Sequence, residues 1–161
     1  YNSTFEKGNN KFLVSRFKET NKYHYDNDFI VDYNFEIKDY AKNLGDEIYI
    51  NLNLNKDLSY YKTDKKRENA IEYDYKRYFG YTTKLEIPVG YSIDFVPKDV
   101  KVSNDFMTCK ITYVVKENIV IYNQTIELNF LILNLEQQKE VNKQIKKIER
   151  NYKEIVVLKK E

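Results

Sequence analysis

The chain has 161 residues, 42% of them hydrophobic and 32% charged, with a formal net charge of +2. That hydrophobic content excludes disorder of the highly charged, apolar-poor kind, and so small a net charge supplies no strong field for drawing in nucleic acid. No apolar run approaches the roughly 18 residues that a spanning helix needs, so membrane insertion is not expected.

Sixteen Tyr and nine Phe, with no Trp, favour strands over helices. A single cysteine, Cys109, rules out an internal disulfide and leaves the redox compartment open. The first residue is Tyr and no signal peptide is visible, which reads as a piece cut from a longer protein.

Residues 1–28 are polar and mixed, with one apolar knot at Phe12-Leu13-Val14; they accommodate one strand or short helix and much irregular chain. Residues 29–37 alternate cleanly: Phe29, Val31, Tyr33, Phe35 and Ile37 share one face of a half-buried strand. Residues 38–46 form a turn-rich connection containing Gly45. Residues 47–54 alternate again, with Ile48, Ile50, Leu52 and Leu54 pointing inward. Two such strands with a short link read as antiparallel neighbours.

Residues 55–70 are polar and charged, and read as a long loop, the nearest thing to a linker. Residues 71–87 keep period two throughout, with Ile71, Tyr73, Tyr75, Phe79, Tyr81, Leu85 and Ile87 on one face. A single strand of that length would span about 56 Å, so a break, bulge or change of sheet is expected near Lys76 to Gly80. Pro88-Val89-Gly90 reads as a corner, with Pro second and Gly fourth in a type I turn. Residues 91–95 make a short strand.

Residues 106–115 place Met107, Cys109, Ile111, Tyr113 and Val115 on one face, and Lys116-Glu117-Asn118 turns the chain. Residues 119–133 return as one long strand, with Val120, Tyr122, Ile126, Leu128, Phe130 and Ile132 together. The period then changes. Val141, Ile145, Ile148 and Tyr152 are spaced four, three and four, which predicts an amphipathic helix from Leu135 to Tyr152. Asn134 and Gln137 suit a capping box, and acids early with bases late suit the helix dipole. Residues 154–160 read as a last strand.

The chemistry-bearing residues favour bland readings. Cys109 falls mid-strand on the Met107 and Ile111 face, where a thiol is buried and inert; His24, the lone histidine, lies far off in sequence. One His and one Cys do not make a zinc site, and Asp26-Asn27-Asp28 lacks the Gly and distal Glu of a calcium loop, so neither metal nor cofactor is expected. Asp32, Glu36, Glu72 and Asp74 are outward strand positions, read as solvated. Residues 139–161 hold eight Lys or Arg interleaved with four acids, read as a solvated helix face. Tyr49, Tyr60, Tyr61 and Tyr78 fall on polar faces or loops, where they could form an aromatic binding surface for a glycan.

The order of elements carries a resemblance. "LEIPVGYSIDFVPKDVKV", a strand pair, and "IYNQTIELNFLILNLEQQKEVNKQIKKIERNYKEIVVLKK" together resemble the C-terminal domain of unknown function of bacterial transglutaminase-like proteins, a Bacteroidetes type. The shared features are Ile-Pro-x-Gly-Tyr at Ile87 to Tyr91, the stop at Val96-Pro97, a long strand, an amphipathic helix and a final Ile-Val-Leu-rich strand. Residues 35–54 are similar to the segment that leaves the transglutaminase core, so the resemblance covers most of residues 30–160.

No catalytic residue carries over, because that family's Cys-His-Asp machinery belongs to the core domain. The resemblance implies a non-catalytic module in the periplasm or cell envelope. Its partner would be an upstream transglutaminase-like domain of the same chain, with a protein or glycan of the envelope as a further partner. The expected fold is mainly β: an antiparallel β-sandwich, immunoglobulin-like in architecture, with one amphipathic C-terminal helix and a final strand. A single domain over residues 1–161 is expected, sub-divided at 70/71 into connecting strands and a C-terminal module. The alternative is a stand-alone glycan- or protein-binding sandwich that uses the exposed tyrosines.

Overall fold

The computed structural model describes residues 12–55 and 57–161; the irregular reading of residues 1–11 lies outside them. Backbone contacts divide the chain into two compact units, Tyr1–Tyr40 and Ala41–Glu161.

In the first unit, β1 (Phe12–Thr20) pairs antiparallel with β2 (Ile30–Ile37). The register shifts between Ser15 and Lys18, where Arg16 takes a positive φ of 51°. Asn21 closes the connecting turn, with its side-chain amide donating to the Asp28 carbonyl at 3.1 Å. The strand expected at 29–37 is therefore present, but its partner is β1 and not the strand at 47–50. The reason lies in the link. Lys42–Leu44 forms its own strand, β3, and folds back on β4 (Glu47–Ile50) through a two-residue turn in which Gly45 has φ +61°. β3 thus takes the edge of β4 that β2 was expected to occupy.

The second unit is antiparallel throughout. One four-stranded sheet has the order β6 (Arg77–Glu86), β10 (Ile119–Leu128), β9 (Met107–Lys116), β8 (Val100–Ser103). The other has the order β3, β4, β12 (Val156–Lys160), β7 (Tyr91–Phe95). A short ladder joins β5 (Ile71–Glu72) to β11 (Ile132–Leu133). Among the described residues the fold is mainly β, with one α-helix near the C-terminus followed by a final strand. β8 is an element the periodicity did not reveal. The 70/71 sub-division falls inside this unit, because β4 pairs directly with β12.

Alternation sets the burial. Met107, Cys109 and Ile111 of β9, and Val120, Tyr122, Ile126 and Leu128 of β10, are all buried and belong to one core cluster. Val156 and Leu158 of β12 join that cluster from the other sheet. The cluster also contains Val141, Ile145, Ile148 and Tyr152 of α1 (Leu135–Asn151, C-capped by Tyr152). The predicted helical stripe is thus the buried one, and each fully buried aliphatic side chain in it stabilises by about 1.5–3 kcal/mol relative to exposure. Asn134 and Gln137 form both hydrogen bonds of the capping box, at 3.0 and 2.9 Å. Within the core, Tyr122 donates to Gln124 Oε1 at 2.9 Å and Gln124 Nε2 donates to Tyr152 Oη at 2.6 Å. Gln124 is fully buried, so this relay satisfies the polar atoms that tie β10 to the helix end.

Three expectations are corrected in detail. The long 71–87 segment does break, but between Glu72 and Arg77; β6 runs straight through Gly80, which pairs with Thr125. Gly80 has no positive φ, so it marks no bend. The 119–133 segment ends as a strand at Leu128, and its period slips in the Asn129–Leu131 connection. Leu133 is consequently buried while Ile132 is 60% exposed. The strand expected over 47–54 stops at Ile50, because Asn51 Oδ1 accepts from Asn53 N at 2.8 Å and Asn53 Oδ1 from Asn55 N at 3.1 Å. These local Asx turns replace ladder pairing.

The corner at Pro88 is real but shifted by one residue. Tyr91 N donates to Pro88 O at 3.1 Å, which makes Gly90 the third turn residue, with φ +83°. Positive φ at the third position is type II chemistry. A Cβ added at Gly90 would meet nothing within 4 Å, so the demand for Gly is purely conformational. Gly90→Val should therefore lower stability by about 1–3 kcal/mol, and Gly90→Asn by less, because Asn tolerates the left-handed region. Denaturant midpoints check this, and equal losses for the two variants would place the cost elsewhere.

Candidate functional site

The tyrosines read as a binding surface lie on three elements: β4, a 3-10 helix and β6. Tyr49 lies on β4 opposite Val157, half-buried, and its hydroxyl donates to the Glu47 carboxylate. That hydrogen bond is the leading cause of its raised pKa. Tyr60 and Tyr61 lie in the 3-10 helix Asp57–Tyr61. Tyr60 is 84% exposed, while Tyr61 is half-buried and packed on the core. Tyr78 is 66% exposed, on the face of β6 opposite that of Arg77 and Phe79.

What does assemble is a cluster around Tyr61. Its ring lies 6.1 Å from that of Tyr73 and 6.0 Å from that of Phe79. Its hydroxyl accepts from Arg77 Nη1 at 3.0 Å. The guanidinium also lies over the Tyr75 ring at 4.5 Å, a cation–π contact that period-two reading does not anticipate. Arg77 Nε is buried with no hydrogen-bond partner.

The segment read as a linker is a strap across α1. Asn142 Nδ2 donates to the Thr63 carbonyl at 2.9 Å and to its hydroxyl at 3.1 Å, and Asn142 Oδ1 accepts from Thr63 N at 2.9 Å. Lys62 Nζ reaches the Glu149 carboxylate at 2.6 and 2.8 Å. Buried Gln138 donates to the carbonyls of Asn69 and Leu133, each at 3.0 Å. Leu58 anchors the strap's start in the core. A polar composition alone reads as a loop; nothing in it signals that Asn142 and Gln138 would bind it down.

Strap and helix enclose an open groove of about 670 Å³. Lys139, Lys143, Lys146, Lys147 and Arg150 line it from the helix, and Lys65 and Arg67 from the strap. At 3.6 residues per turn, those five helical positions form one stripe on the side away from the buried residues. The single carboxylate of the lining is Asp64, which accepts from Lys66 N at 3.0 Å. Lys143 approaches Glu140 at 3.8 Å. Among the described residues, Lys65, Lys139, Lys146, Lys147 and Arg150 form no ion pair.

Cys109 is fully buried on β9, and burial pushes its thiol up from 9.0 to about 11, with a Gln124 hydrogen bond acting weakly the other way. His24 lies in the exposed turn between β1 and β2 of the first unit. Asp26 and Asp28 are exposed in the same turn, and among the described residues no group of three His, Cys, Asp or Glu could hold a metal ion. Among the described residues, no helix is long and apolar enough to cross a membrane.

Burial raises Tyr113 to about 12 and raises Tyr122 further. Each of these groups is neutral below its unfolded pKa and resists ionisation when folded. The stability it contributes is thus full below about pH 9 and falls as pH rises toward 11 and beyond. Cys109 alone should account for a loss of about 2–3 kcal/mol between pH 9 and 11. Denaturant midpoints across that range should fall, and Cys109→Ala should flatten the slope; an unchanged slope would mean that the thiol is not the group responsible.

Residues 46–158 match a family described as a domain of unknown function with a solved structure, DUF3858. No curated protein matches the chain. A crystal structure of a candidate protease from Parabacteroides distasonis superposes with a TM-score of 0.52 at 17% identity, over 62% of this chain and 20% of that one. That likeness speaks for the fold alone, and the chain corresponds to only a fifth of the protein it matches. Because the family model matches residues 46–158, well over half of the chain, and takes in β4 to β11, α1 and the start of β12, the chain belongs to the DUF3858 family.

Proposed function

We propose that the chain serves as a non-catalytic accessory domain of a transglutaminase-like protein of the periplasm or cell envelope. It packs on or orients an upstream core, or recruits that core's substrate. The observation that carries this reading is the family match over residues 46–158, together with a fold that occupies 20% of a longer chain described as a candidate protease. The Bacteroidetes source of that neighbour agrees with the kind of parent protein that the Ile87–Tyr91 and Val96-Pro97 features resemble. The state of the one thiol also supports it: with its pKa at about 11, Cys109 holds almost no thiolate at neutral pH. Deleting residues 41–161 from the longer protein should lower kcat/KM for acyl transfer or peptide hydrolysis by about tenfold or more, while the isolated chain turns over neither substrate. A truncated core with full kcat/KM would overturn the reading.

A second reading is a stand-alone glycan- or protein-binding sandwich. It is favoured by the exposure of Tyr60 and Tyr78, at 84% and 66%. Titration with envelope oligosaccharides should shift the ring resonances of these two tyrosines first; no response from either, nor from Tyr49 and Tyr61, rejects the glycan form.

A further inference from the structure

The groove between the strap and α1 concentrates charge that the chain as a whole lacks. Net charge is +2, yet seven cations and one carboxylate line a cleft of about 670 Å³. Like charges three and four residues apart on a helix repel and destabilise it. Lys139 with Lys143, Lys143 with Lys146 and Lys147, and Lys146 and Lys147 with Arg150 are all such pairs. The far wall adds Lys65 and Arg67 to the same cleft. That wall is held in place, because Asn142 makes three hydrogen bonds to Thr63 and Lys62 is bound to Glu149.

We propose that this groove is a docking site for an acidic peptide segment, whose carboxylates pair with the helical stripe while the chain lies along the strap. Charge complementarity is the first argument, since the lining offers seven cations against one carboxylate. The lining also tells against other polyanions. It contains no aromatic ring on which a base could stack, and a net charge of +2 gives no extended field along a nucleic-acid backbone. Leu135 is its one large apolar side chain, too little to enter a lipid surface but enough to meet an apolar residue beside the acids. Five of its cations are Lys, which accept a carboxylate from several directions, where planar phosphate recognition favours Arg. This inference stands apart from the accessory reading, since it concerns what the groove holds and not what the parent protein catalyses.

The test uses the full 161-residue chain and a fluorescein-labelled peptide of alternating Glu and Gly with one central Leu. Anisotropy titrations would be run at several salt concentrations, with single-stranded DNA, heparin and anionic phosphatidylglycerol vesicles as competing probes. Lys143→Glu/Lys147→Glu should weaken peptide binding by about tenfold or more, and the neutral pair Lys143→Gln/Lys147→Gln by less. The control pair Lys84→Glu/Lys110→Glu, on exposed faces of β6 and β9, should leave affinity within about twofold. Asn142→Ala keeps every cation but frees the strap, and should weaken binding by a further severalfold factor that salt does not abolish. The proposal fails if the groove and control pairs lose affinity equally. It also fails if Asn142→Ala binds as wild type, or if DNA, heparin or vesicles bind more tightly than the peptide at equal salt.

Discussion

Burial of the Val141, Ile145, Ile148 and Tyr152 stripe is the interaction on which the second unit depends. The stripe is buried in one core cluster with Met107 and Ile126 of one four-stranded sheet and Val156 and Leu158 of the other. The three aliphatic burials, worth about 1.5–3 kcal/mol each, are a large share of the roughly 5–15 kcal/mol by which a domain is normally stable. Gln124 adds direction to that apolar attraction. Because its amide is fully buried, it must meet Tyr122 on one side and Tyr152 on the other, which fixes where the last turn of α1 lies against β10.

Seating the helix has two further consequences. The chain leaves α1 directly into β12, so the last strand is delivered between β4 and β7 and becomes the middle of its sheet. The side-chain amide of Asn51 reinforces this junction by donating to the Tyr152 carbonyl at 2.8 Å. The helix flank, meanwhile, presents Gln138, Asn142 and Glu149 to residues 62–70, which would otherwise be an unanchored polar segment. One face of α1 therefore completes the core, one flank binds the strap, and the remaining side forms the basic wall of the groove.

Elements whose burial follows a regular period were legible from the chain alone. The β9–β10 hairpin, α1 with its capping box, and β7 follow from local pattern, because periods of two and about 3.6 each commit one face to the core. The same logic placed Cys109 inside. Legibility failed where pairing is decided at a distance. β2 and β4 both alternate, and nothing local states that β1 will take one and β3 the other. The break in 71–87 was foreseen from strand length, but not its position at Tyr73–Lys76, because that is set by the competing ladder between β5 and β11. The placement of the tyrosines was illegible for a related reason: Tyr49 on β4, Tyr60 and Tyr61 on the 3-10 helix and Tyr78 on β6 have no fixed relation until the sheets are assembled.

The amino-acid order settled the mainly β character, the amphipathic helix over Leu135–Asn151 with its capped start, and the corner at Pro88 with its dependence on glycine at position 90. These are local properties, written in side-chain period and backbone φ. Folding alone decided that β12 is an interior strand, that the polar 62–70 segment is bound to α1, and that a stripe of lysines faces Lys65 and Arg67 across a cleft. Those features join residues about 70 to 100 positions apart, and no local pattern encodes which distant amide an Asn or Gln side chain will find.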